Sequence, residues 1–367
     1  MVTLLLAGGG TGGHVFPMVA VGEALRALDP AARVVYVGTA RGIEGRVIQG
    51  LGGELMLMDV APLRGGGVSG FMQGMKRAAG SIPEARTLVK RIAPDIVLSV
   101  GGYAGGPISL AARLCGVPVA LLEPNSVLGL SNRLLTPFAE RAYVAFPEAE
   151  RFLRPSIIRR SGVPLRKVFS PISYELKSNR LAVLVLGGSQ GAQALNESVP
   201  RAVQLAVKAG LALSVVHQTG RDREAAVKAL YAELGVADVS VVPFIDDVAQ
   251  ALGAADVVIE RAGASSLAEL CAVGRPSILI PYPFAADDHQ HKNAVSLEKA
   301  GAAVALAQPV ATPARIAAEL GRLARDPERR ARMAKAAAAL GKPDAALSVA
   351  RDLLDLVRAR AAAREAS

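Results

Sequence analysis

The stretch LLAGGGTGGHVFP, residues 5–17, joins a short apolar run to five glycines and contains one of the chain's four histidines. A strand that enters a helix through glycines brings bare backbone close to a ligand, because unpaired N–H groups and the positive helix end face the turn. This arrangement favours a phosphate, although a tight turn without a ligand has the same pattern. His14 ends the turn, and an imidazole with an ordinary pKa of about 6.5 suits either a proton acceptor or a residue that orders the loop.

The same pattern recurs along the chain. Apolar runs that end in glycine-rich turns alternate with helix-length segments, as in DIVLSVGGYAGGP at 95–107, and the alternation restarts with RLAVLVLGGSQGAQ at 180–193. Such alternation is typical of parallel sheets. We therefore predict an α/β protein with two doubly wound, Rossmann-like domains, linked through the Pro- and Ser-rich stretch 159–179. Three glycine-rich turns together favour a phosphorylated ligand.

A nicotinamide dinucleotide is the obvious competing ligand. Such a site expects an acidic residue about 20 residues after the first turn, where it holds the ribose. This sequence has Gly38, Thr39 and Ala40 at the end of the second apolar run. The dinucleotide interpretation is therefore weak.

Composition narrows the partners. The chain of 367 residues has a net charge of +10, which predicts attraction to a phosphorylated substrate, an acidic membrane face or nucleic acid. Aromatic residues make up 4% of the chain and Trp is absent, so nucleic acid is the weakest of the three and none is expected. Cys115 and Cys271 lack metal-ligand spacing and are expected to be buried thiols. The apolar runs are too short for a signal peptide or a membrane span, so a cytoplasmic location is expected.

Seven short motifs in order carry a resemblance. GGGTGGHVFP, GGYAGGP, GGSQGA, HQTG, FIDD, RAGASSLAEL and DDHQHKNA run from residue 8 to residue 294, and together they resemble the MurG family of glycosyltransferases. The resemblance implies the GT-B architecture, in which two Rossmann-like doubly wound domains face a cleft. It implies an acceptor- and membrane-binding domain at 1–163, joined by the C-terminal helix 344–367, and a domain at 164–343 that binds UDP-N-acetylglucosamine (UDP-GlcNAc).

The resemblance also implies a reaction. The family moves N-acetylglucosamine (GlcNAc) from UDP-GlcNAc, with inversion, to the C4 hydroxyl of the N-acetylmuramyl (MurNAc) unit in undecaprenyl-diphospho-MurNAc-pentapeptide, or lipid I, to make lipid II for peptidoglycan. No cofactor and no metal site are expected. Two alternatives stay open: another GT-B enzyme, such as a glycolipid synthase or a UDP-GlcNAc 2-epimerase, and a nucleotide-sugar binding protein without catalysis.

Donor contacts follow from the same motifs. The resemblance implies that Glu269 holds the ribose hydroxyls and that the backbone of Ile245 meets uracil. A carboxylate suits a vicinal diol, and amide groups suit a neutral sugar because each supplies a donor and an acceptor. The remaining expected donor contacts are Ala264, Ser265, Ser266, His289, Gln290 and Asn293.

Leaving-group and catalytic residues complete the predicted site. The diphosphate is expected to meet glycine turns, polar side chains and cations, namely Thr11, Gly12, Gly13, Ser189, Gln190, Arg166 and Arg261. His14 is the candidate base, with loop ordering as the equal alternative. Glu123 and Asn125 are further catalytic candidates, since LLEPNS at 121–126 matches the family's His-Glu-Gln-Asn segment in part, with Leu122 and Pro124 in place of His and Gln.

A membrane contact is predicted in PLRGGGVSGFMQGMKRAAG, residues 62–80. Helical spacing would place Val68, Phe71, Met72 and Met75 on one apolar stripe, with Arg64, Lys76 and Arg77 nearby. The combination suits peripheral docking to the anionic cytoplasmic face of the cell membrane. Packing of the stripe into the core of the first domain is the alternative.

Overall fold

The computed structural model describes residues 1–9, 12–39, 45, 48, 53–58, 80–175, 180–188 and 190–366. The chain divides into two compact units. The first unit contains residues 1–167 together with 342–367, and the second contains residues 168–341. Each unit is built around its own sheet, and every strand pair among the described residues is parallel.

The first unit holds a seven-stranded sheet in the order β3-β2-β1-β4-β5-β6-β7. Its strands are β1 (Thr3–Ala7), β2 (Arg33–Thr39), β3 (Glu54–Met58), β4 (Ile96–Ser99), β5 (Val119–Glu123), β6 (Ala139–Val144) and β7 (Ile158–Arg159). Its helices, in chain order up to β7, are α1 (Gly12–Leu28), α2 (Ile82–Ile92), α3 (Gly102–Leu114) and α4 (Leu130–Leu135). The central strands are apolar on both faces and fully buried, as expected when helices cover both sides of a parallel sheet.

The second unit holds a six-stranded sheet in the order β10-β9-β8-β11-β12-β13. Its strands are β8 (Leu181–Leu186), β9 (Leu213–Gln218), β10 (Val239–Val242), β11 (Val257–Glu260), β12 (Ser277–Leu279) and β13 (Ala303–Ala305). Its helices are α5 (Gln193–Lys208), α6 (Glu224–Glu233), α7 (Val248–Ala254), α8 (Ala264–Val273), α9 (His289–Lys299), α10 (Pro313–Arg325) and α11 (Pro327–Leu340).

The C-terminal helix α12 (Ala345–Glu365) belongs to the first unit, although the whole second unit lies between it and residue 167 in the sequence. It packs against α1, and its apolar residues Val349, Leu353 and Val357 join the same core as the first strands. Tyr143 in β6 donates a hydrogen bond of 2.7 Å to Asp352 of this helix. An apolar stripe and a partly buried polar contact therefore hold this helix on the first sheet.

Both sheets reverse their strand order at one point. In the first sheet β1 lies between β2 and β4, and in the second β8 lies between β9 and β11. In open parallel sheets a ligand binds outside the carboxyl ends of the strands at such a switch point. The glycine turns after β1, β4 and β8 lie at these ends, so the fold places the sequence-predicted motifs where a ligand is expected.

Two further observations concern the sequence predictions. Among the residues that the structure describes, no helix is long and apolar enough to cross a membrane. Cys271 is buried and Cys115 is half-buried, and both are free thiols. The predicted membrane segment at 68–77 lies outside the described residues, as do Thr11 and Ser189.

Candidate functional site

At the switch point of the first unit, two glycine turns interlock. The turn after β1 contains Gly9, and the turn after β4 contains Gly101 and Gly102, both with positive φ. A Cβ atom on Gly102 would lie 2.4 Å from the carbonyl oxygen of Gly9, which no side chain tolerates. Ser131 donates a hydrogen bond of 2.9 Å to the carbonyl of Gly102. The close packing of the turns therefore requires glycine at position 102.

His14 lies in the first turn of α1 and is half-buried. Its Nε2 atom is 3.6 Å from the position that a Cβ atom on Gly101 would occupy, so the imidazole lies against this turn. Helix α3 also begins beside Gly101. The imidazole thus sits next to the start of a second helix, where N–H groups face the turn and favour oxygen ligands.

Glu123, the last residue of β5, is buried with 3% exposure and accepts four N–H donors. Its Oε1 accepts from the backbone N–H of Asn125 at 3.1 Å and from the Asn125 side chain at 3.2 Å. Its Oε2 accepts from the Gly129 N–H at 2.8 Å and from the Asn132 side chain at 3.2 Å. Burial raises the pKa of Glu123, and the four donors act against that increase.

This network fixes a loop beside His14 and contains a residue that the sequence reasoning missed. Asn132 is fully buried, donates to the carbonyl of Leu122 at 3.0 Å and accepts from the hydroxyl of Ser99 at 3.0 Å. An asparagine inside the apolar run LGLSNRLL was the available signal. The contacts give Glu123 a positioning role, since it holds half-buried Asn125 in place; its catalytic role stays a prediction.

At the switch point of the second unit, Gln218 holds the glycine turn after β8. Its Oε1 accepts from the Gly187 N–H at 3.0 Å, and its Nε2 donates to the carbonyls of Gly188 and Pro243 at 3.0 and 3.1 Å. A Cβ atom on Gly191 would lie 2.1 Å from the Thr219 carbonyl oxygen. Gln218 and Thr219 of the HQTG motif thus pack against the glycine turn and order it. Gln190, which belongs to that turn, is exposed to solvent.

His217 of the same motif is part of the core. Its ring nitrogens contact the Tyr231 hydroxyl at 3.0 Å and the Asn196 side-chain oxygen at 3.1 Å. Burial lowers the pKa of His217 to about 4, so the imidazole is neutral near pH 7. It therefore stabilises the second unit in its uncharged form.

The first two turns of α8 carry several of the predicted donor contacts. Glu269 and Ser266 are half-buried, and the buried Ser265 hydroxyl oxygen has no hydrogen-bond partner among the described residues. Asn293 is fully buried, and its amide donates to the Ala262 carbonyl at 3.2 Å. The Asn293 side chain therefore ties α9 to the loop before α8, and its contact with the sugar stays a prediction.

The loop after β12 is held by Arg261 and Gln290. The Arg261 guanidinium donates to the carbonyls of Ile280 and Pro281 at 3.0 and 3.1 Å and lies over the Tyr282 ring. Gln290 Oε1 accepts from the Tyr282 N–H at 2.9 Å. Both side chains thus order the loop that follows the strand, and burial lowers the pKa of Arg261.

His289 begins α9 and makes a defined contact. Its Nδ1 lies 2.7 Å from the Ala286 carbonyl oxygen, which can only accept, so Nδ1 donates. Nε2 of a neutral ring is then an acceptor that can meet a sugar hydroxyl. The preceding Asp287 and Asp288 adopt left-handed backbone conformations, so this pair forms a tight turn into the helix.

The other predicted residues are distributed over both units. Half-buried Ile245 follows β10, and Asp247 caps α7 by accepting from the Gln250 N–H at 2.9 Å. Arg166 belongs to the first unit, where its guanidinium lies 5.8 Å from the ring centroid of Phe16, two residues beyond His14. Within the described ranges, no three His, Cys, Asp or Glu side chains form a group that could hold a metal ion.

Two family models match the chain. The glycosyltransferase family 28 N-terminal domain matches residues 4–144, and the glycosyltransferase family 28 C-terminal domain matches residues 182–349. The matches cover the two switch points and most of the residues discussed above. They coincide with the two sheets that the structure shows.

Relatives match over nearly the whole chain. A UDP-N-acetylglucosamine–N-acetylmuramyl-(pentapeptide) pyrophosphoryl-undecaprenol N-acetylglucosamine transferase from Sorangium cellulosum is 67% identical, covering 98% of this chain and 89% of its own length. A transferase with the same name from an Anaeromyxobacter species is 42% identical over 97% of this chain and 94% of its own.

Solved structures agree with the fold. The crystal structure of Acinetobacter baumannii MurG has a TM-score of 0.80 and 31% identity, and the match covers 98% of this chain and 99% of that one. A UDP-GlcNAc 2-epimerase from Neisseria meningitidis has a TM-score of 0.70 over 97% of this chain and 100% of its own, and at 14% identity it shows the fold alone. The predicted class, two parallel α/β sheets with the MurG fold, is confirmed.

Proposed function

The chain belongs to glycosyltransferase family 28, and we propose that it transfers GlcNAc from UDP-GlcNAc to the MurNAc C4 hydroxyl of undecaprenyl-diphospho-MurNAc-pentapeptide, with inversion. The observation that carries this proposal is 67% identity, over 98% of the chain, to a transferase whose name states the acceptor and the transferred sugar. The reaction converts lipid I to lipid II in peptidoglycan synthesis.

The second unit is the proposed donor site. The turn after β8, the loop after β10, the start of α8 and the loop after β12 all follow carboxyl ends of parallel strands and share one edge of the sheet. In the proposed complex Glu269 accepts hydrogen bonds from the ribose hydroxyls, and the backbone of Ile245 meets uracil. His289 Nε2 and Gln290 meet sugar hydroxyls. The bonds that already fix His289 and Gln290 support this, because pre-ordered side chains lose less entropy on binding.

Charge on the departing diphosphate is met by helix N-termini in this proposal. Helices α5 and α8 begin at the two strands that flank the switch point, and neither has an acidic residue in its first turn. N–H groups at such ends attract an anion and need no rearrangement as its charge grows. Half-buried Ser265 and Ser266 add hydroxyl groups at the start of α8.

The proton is removed by His14 in this proposal. The oxygen of the acceptor's C4 hydroxyl attacks the anomeric carbon of GlcNAc, the bond from that carbon to the diphosphate oxygen breaks, and the hydroxyl proton passes to imidazole Nε2. One displacement inverts the anomeric centre. The position of the His14 ring beside Gly101 and the start of α3 supports His14 as the base, and Asn125, fixed by Glu123, supports acceptor binding through its amide.

We also propose that the protein works as a peripheral protein at the cytoplasmic face of the cell membrane, since an undecaprenyl acceptor stays in the bilayer. The net charge of +10 supports attraction to anionic lipid. Phe71→Ser and Met75→Ser combined with Lys76→Gln and Arg77→Gln should remove binding to anionic liposomes and leave turnover of a short-chain acceptor intact. Equal loss of both would assign the segment to the protein core.

The test of the function is UDP release from UDP-GlcNAc with and without a short-chain lipid I analogue. We expect release only with the acceptor, together with a disaccharide product. Conversion of UDP-GlcNAc to its 2-epimer without acceptor would favour the epimerase alternative, and nucleotide binding without turnover in either assay would favour a binding protein.

A further inference from the structure

Glu260, the last residue of β11, is a buried acid that the reaction as described above does not use. Its side chain is 1% exposed, and its Oε1 atom has no hydrogen-bond partner among the described residues. It ends the strand beside β8, so it lies at the switch point of the second sheet. A buried carboxyl group at this place, without a donor for that oxygen, calls for a functional reason.

Glu260 is flanked by apolar residues of the neighbouring strands and by acidic groups of helix α8. Ile259 belongs to the core on one face, so alternation directs Glu260 to the opposite face. Its register partners on the neighbouring strands are Leu186 and Leu279. Helix α8 contributes Cys271, whose pKa burial raises to about 12, and Glu269, whose negative charge acts on Glu260.

The nearest basic residue in sequence does not neutralise this group. Arg261 directs its guanidinium to the carbonyls of Ile280 and Pro281. Across the part of the chain that the structure describes, Glu260 forms no ion pair with a Lys or Arg side chain. A buried carboxyl group without a cation or a set of donors keeps its proton, because charging it there costs several kcal/mol.

Glu269 and Glu260 therefore form a pair with unequal exposure. When two carboxyl groups interact, the more solvated one ionises first and its charge opposes ionisation of the other. Glu269 is half-buried and Glu260 is covered, so the single negative charge rests on Glu269. Burial and the charge of Glu269 both raise the pKa of Glu260 well above its ordinary value of 4.5.

We propose that Glu260 is a positioning residue of the donor site: an uncharged acid next to helix α8 that leaves the negative charge of this pair on Glu269, and whose ionisation weakens nucleotide binding. The inference rests on the proposed function, in which Glu269 holds the ribose. A second negative charge at this end of the sheet would repel the diphosphate and compete with Glu269 for local donors. The chemistry concerned is a uridine diphosphate group.

The test is calorimetric titration of the full chain with UDP between pH 6 and 9.5, for the wild type and Glu260→Gln. We expect the wild-type Kd to rise with pH, by up to about tenfold per unit above the pH at which Glu260 ionises. In Glu260→Gln this rise should be absent. Ionisation of UDP itself is common to both proteins and cancels in their ratio. Parallel profiles would overturn the proposal.

Glu319→Gln is the matched control. Glu319 is another glutamate with 1% exposure in the second unit, and it forms ion pairs with Arg315 and Arg322 on α10. The proposal expects Glu319→Gln to keep the wild-type pH profile of UDP binding. A flattened profile in this variant too would attribute the effect to general loss of a buried charge and would overturn the specific role of Glu260.

A wild-type measurement covers the case in which Glu260→Gln fails to fold. The measurement is UDP binding at alkaline pH in two buffers of different ionisation enthalpy. Because Glu260 should regain its proton when UDP binds, we expect an uptake of as much as one proton per UDP bound, beyond the proton change of UDP itself. Absence of uptake contradicts the proposal. Glu269→Ala distinguishes failure of this proposal from failure of the proposed function. If the variant binds UDP as tightly as the wild type, Glu269 does not hold the ribose. If the wild type fails to transfer the sugar to lipid, the proposed reaction is wrong, but the pH dependence of UDP binding still tests Glu260.

Discussion

Glu123 and Glu260 are both buried glutamates at the carboxyl end of a parallel strand, Glu260 on β11 beside β8 and Glu123 on β5, one strand farther from the switch point of its own sheet. Glu123 receives two backbone and two side-chain N–H groups. Among the described residues, one oxygen of Glu260 has no hydrogen-bond partner, and the negative charge of Glu269 acts on this group. Burial raises the pKa of both, but only Glu123 has donors that oppose the increase.

The difference shows how one residue type serves two purposes at the carboxyl edge of a parallel sheet. In the first unit, four N–H donors bind the Glu123 carboxylate, and these bonds order the loop that follows β5. In the second unit the same group stays uncharged and keeps the edge of the sheet suitable for an anion. We infer that the first region is built to hold a base and an acceptor, and the second to hold a nucleotide.

The largest effect is expected in the first region. His14→Ala should lower kcat by about 10²–10⁴-fold with an unchanged donor Kd, because a base acts only on the proton transferred during reaction. The acidic limb of the kcat profile should also disappear. Steady-state kinetics across pH checks both. His291→Ala, at an exposed histidine of α9, is the control expected to keep wild-type kcat. A rise in both KM values with an unchanged pH profile would assign His14 to loop ordering.

Glu123→Gln sharpens the comparison through stability. In the wild type, four N–H donors face the two oxygens of a carboxylate. In the variant, one of these oxygens is replaced by an NH₂ group that cannot accept, so the first unit should lose about 2–4 kcal/mol of unfolding free energy. Urea denaturation measures this loss. Glu150→Gln removes an exposed pair with Arg160 and should cost less than about 1 kcal/mol. Equal costs would mean that the four donors around Glu123 contribute nothing special.

Glu269→Ala addresses the second region. Loss of a charged acceptor for ribose hydroxyls should weaken UDP-GlcNAc binding by about 1.5–3 kcal/mol while kcat at saturating donor stays near wild type. Calorimetry and the donor KM are the measurements. An unchanged donor KM would remove Glu269 from the site, and with it the proposed division between the two regions.

Measured at pH 5.5, Glu260→Gln should have the smallest effect, at most about 1.4 kcal/mol, and its sign should be opposite to that of Glu123→Gln. The folded protein holds a proton that the unfolded chain releases above about pH 4.5, so wild-type stability falls as pH rises toward the folded pKa. The variant lacks this loss, which amounts to at most about 1.4 kcal/mol per pH unit. Its advantage should be absent near pH 4.5 and present at pH 7. His217, with its pKa lowered to about 4, titrates in both proteins and cancels. A destabilised variant at pH 7 would contradict an uncharged Glu260.

Much of the fold and the family could be predicted from the sequence. The glycine turns after apolar runs, from Gly8 and Gly187 onward, have few physical explanations, and their repetition predicts two parallel sheets. The two sheets and the family are confirmed. The enzyme class was predicted from the family resemblance of the seven ordered motifs, and it is confirmed by the matches to glycosyltransferase family 28.

Long-range polar contacts could not be predicted in the same way. Asn132 contacts Ser99, 33 residues away, and Gln218 contacts Gly187, 31 residues away, and nothing in their local sequence identifies the partner. Asn293 lies inside a recognised motif and is expected to meet sugar, but its hydrogen bond to the Ala262 carbonyl could not be predicted from that motif. Glu260 ends an apolar strand where the alternation predicts only burial, and its unpartnered oxygen becomes apparent only in three dimensions.

The most direct test of the account is transfer kinetics of the double variant His14→Ala with Glu269→Ala, assayed with radiolabelled UDP-GlcNAc and a short-chain lipid I analogue. If one region supplies the base and the other holds the nucleotide, the two losses are independent and multiply. The double variant should combine the kcat of His14→Ala with the donor KM of Glu269→Ala. A double variant no worse than His14→Ala alone would contradict separate roles and would show the two residues acting as one unit.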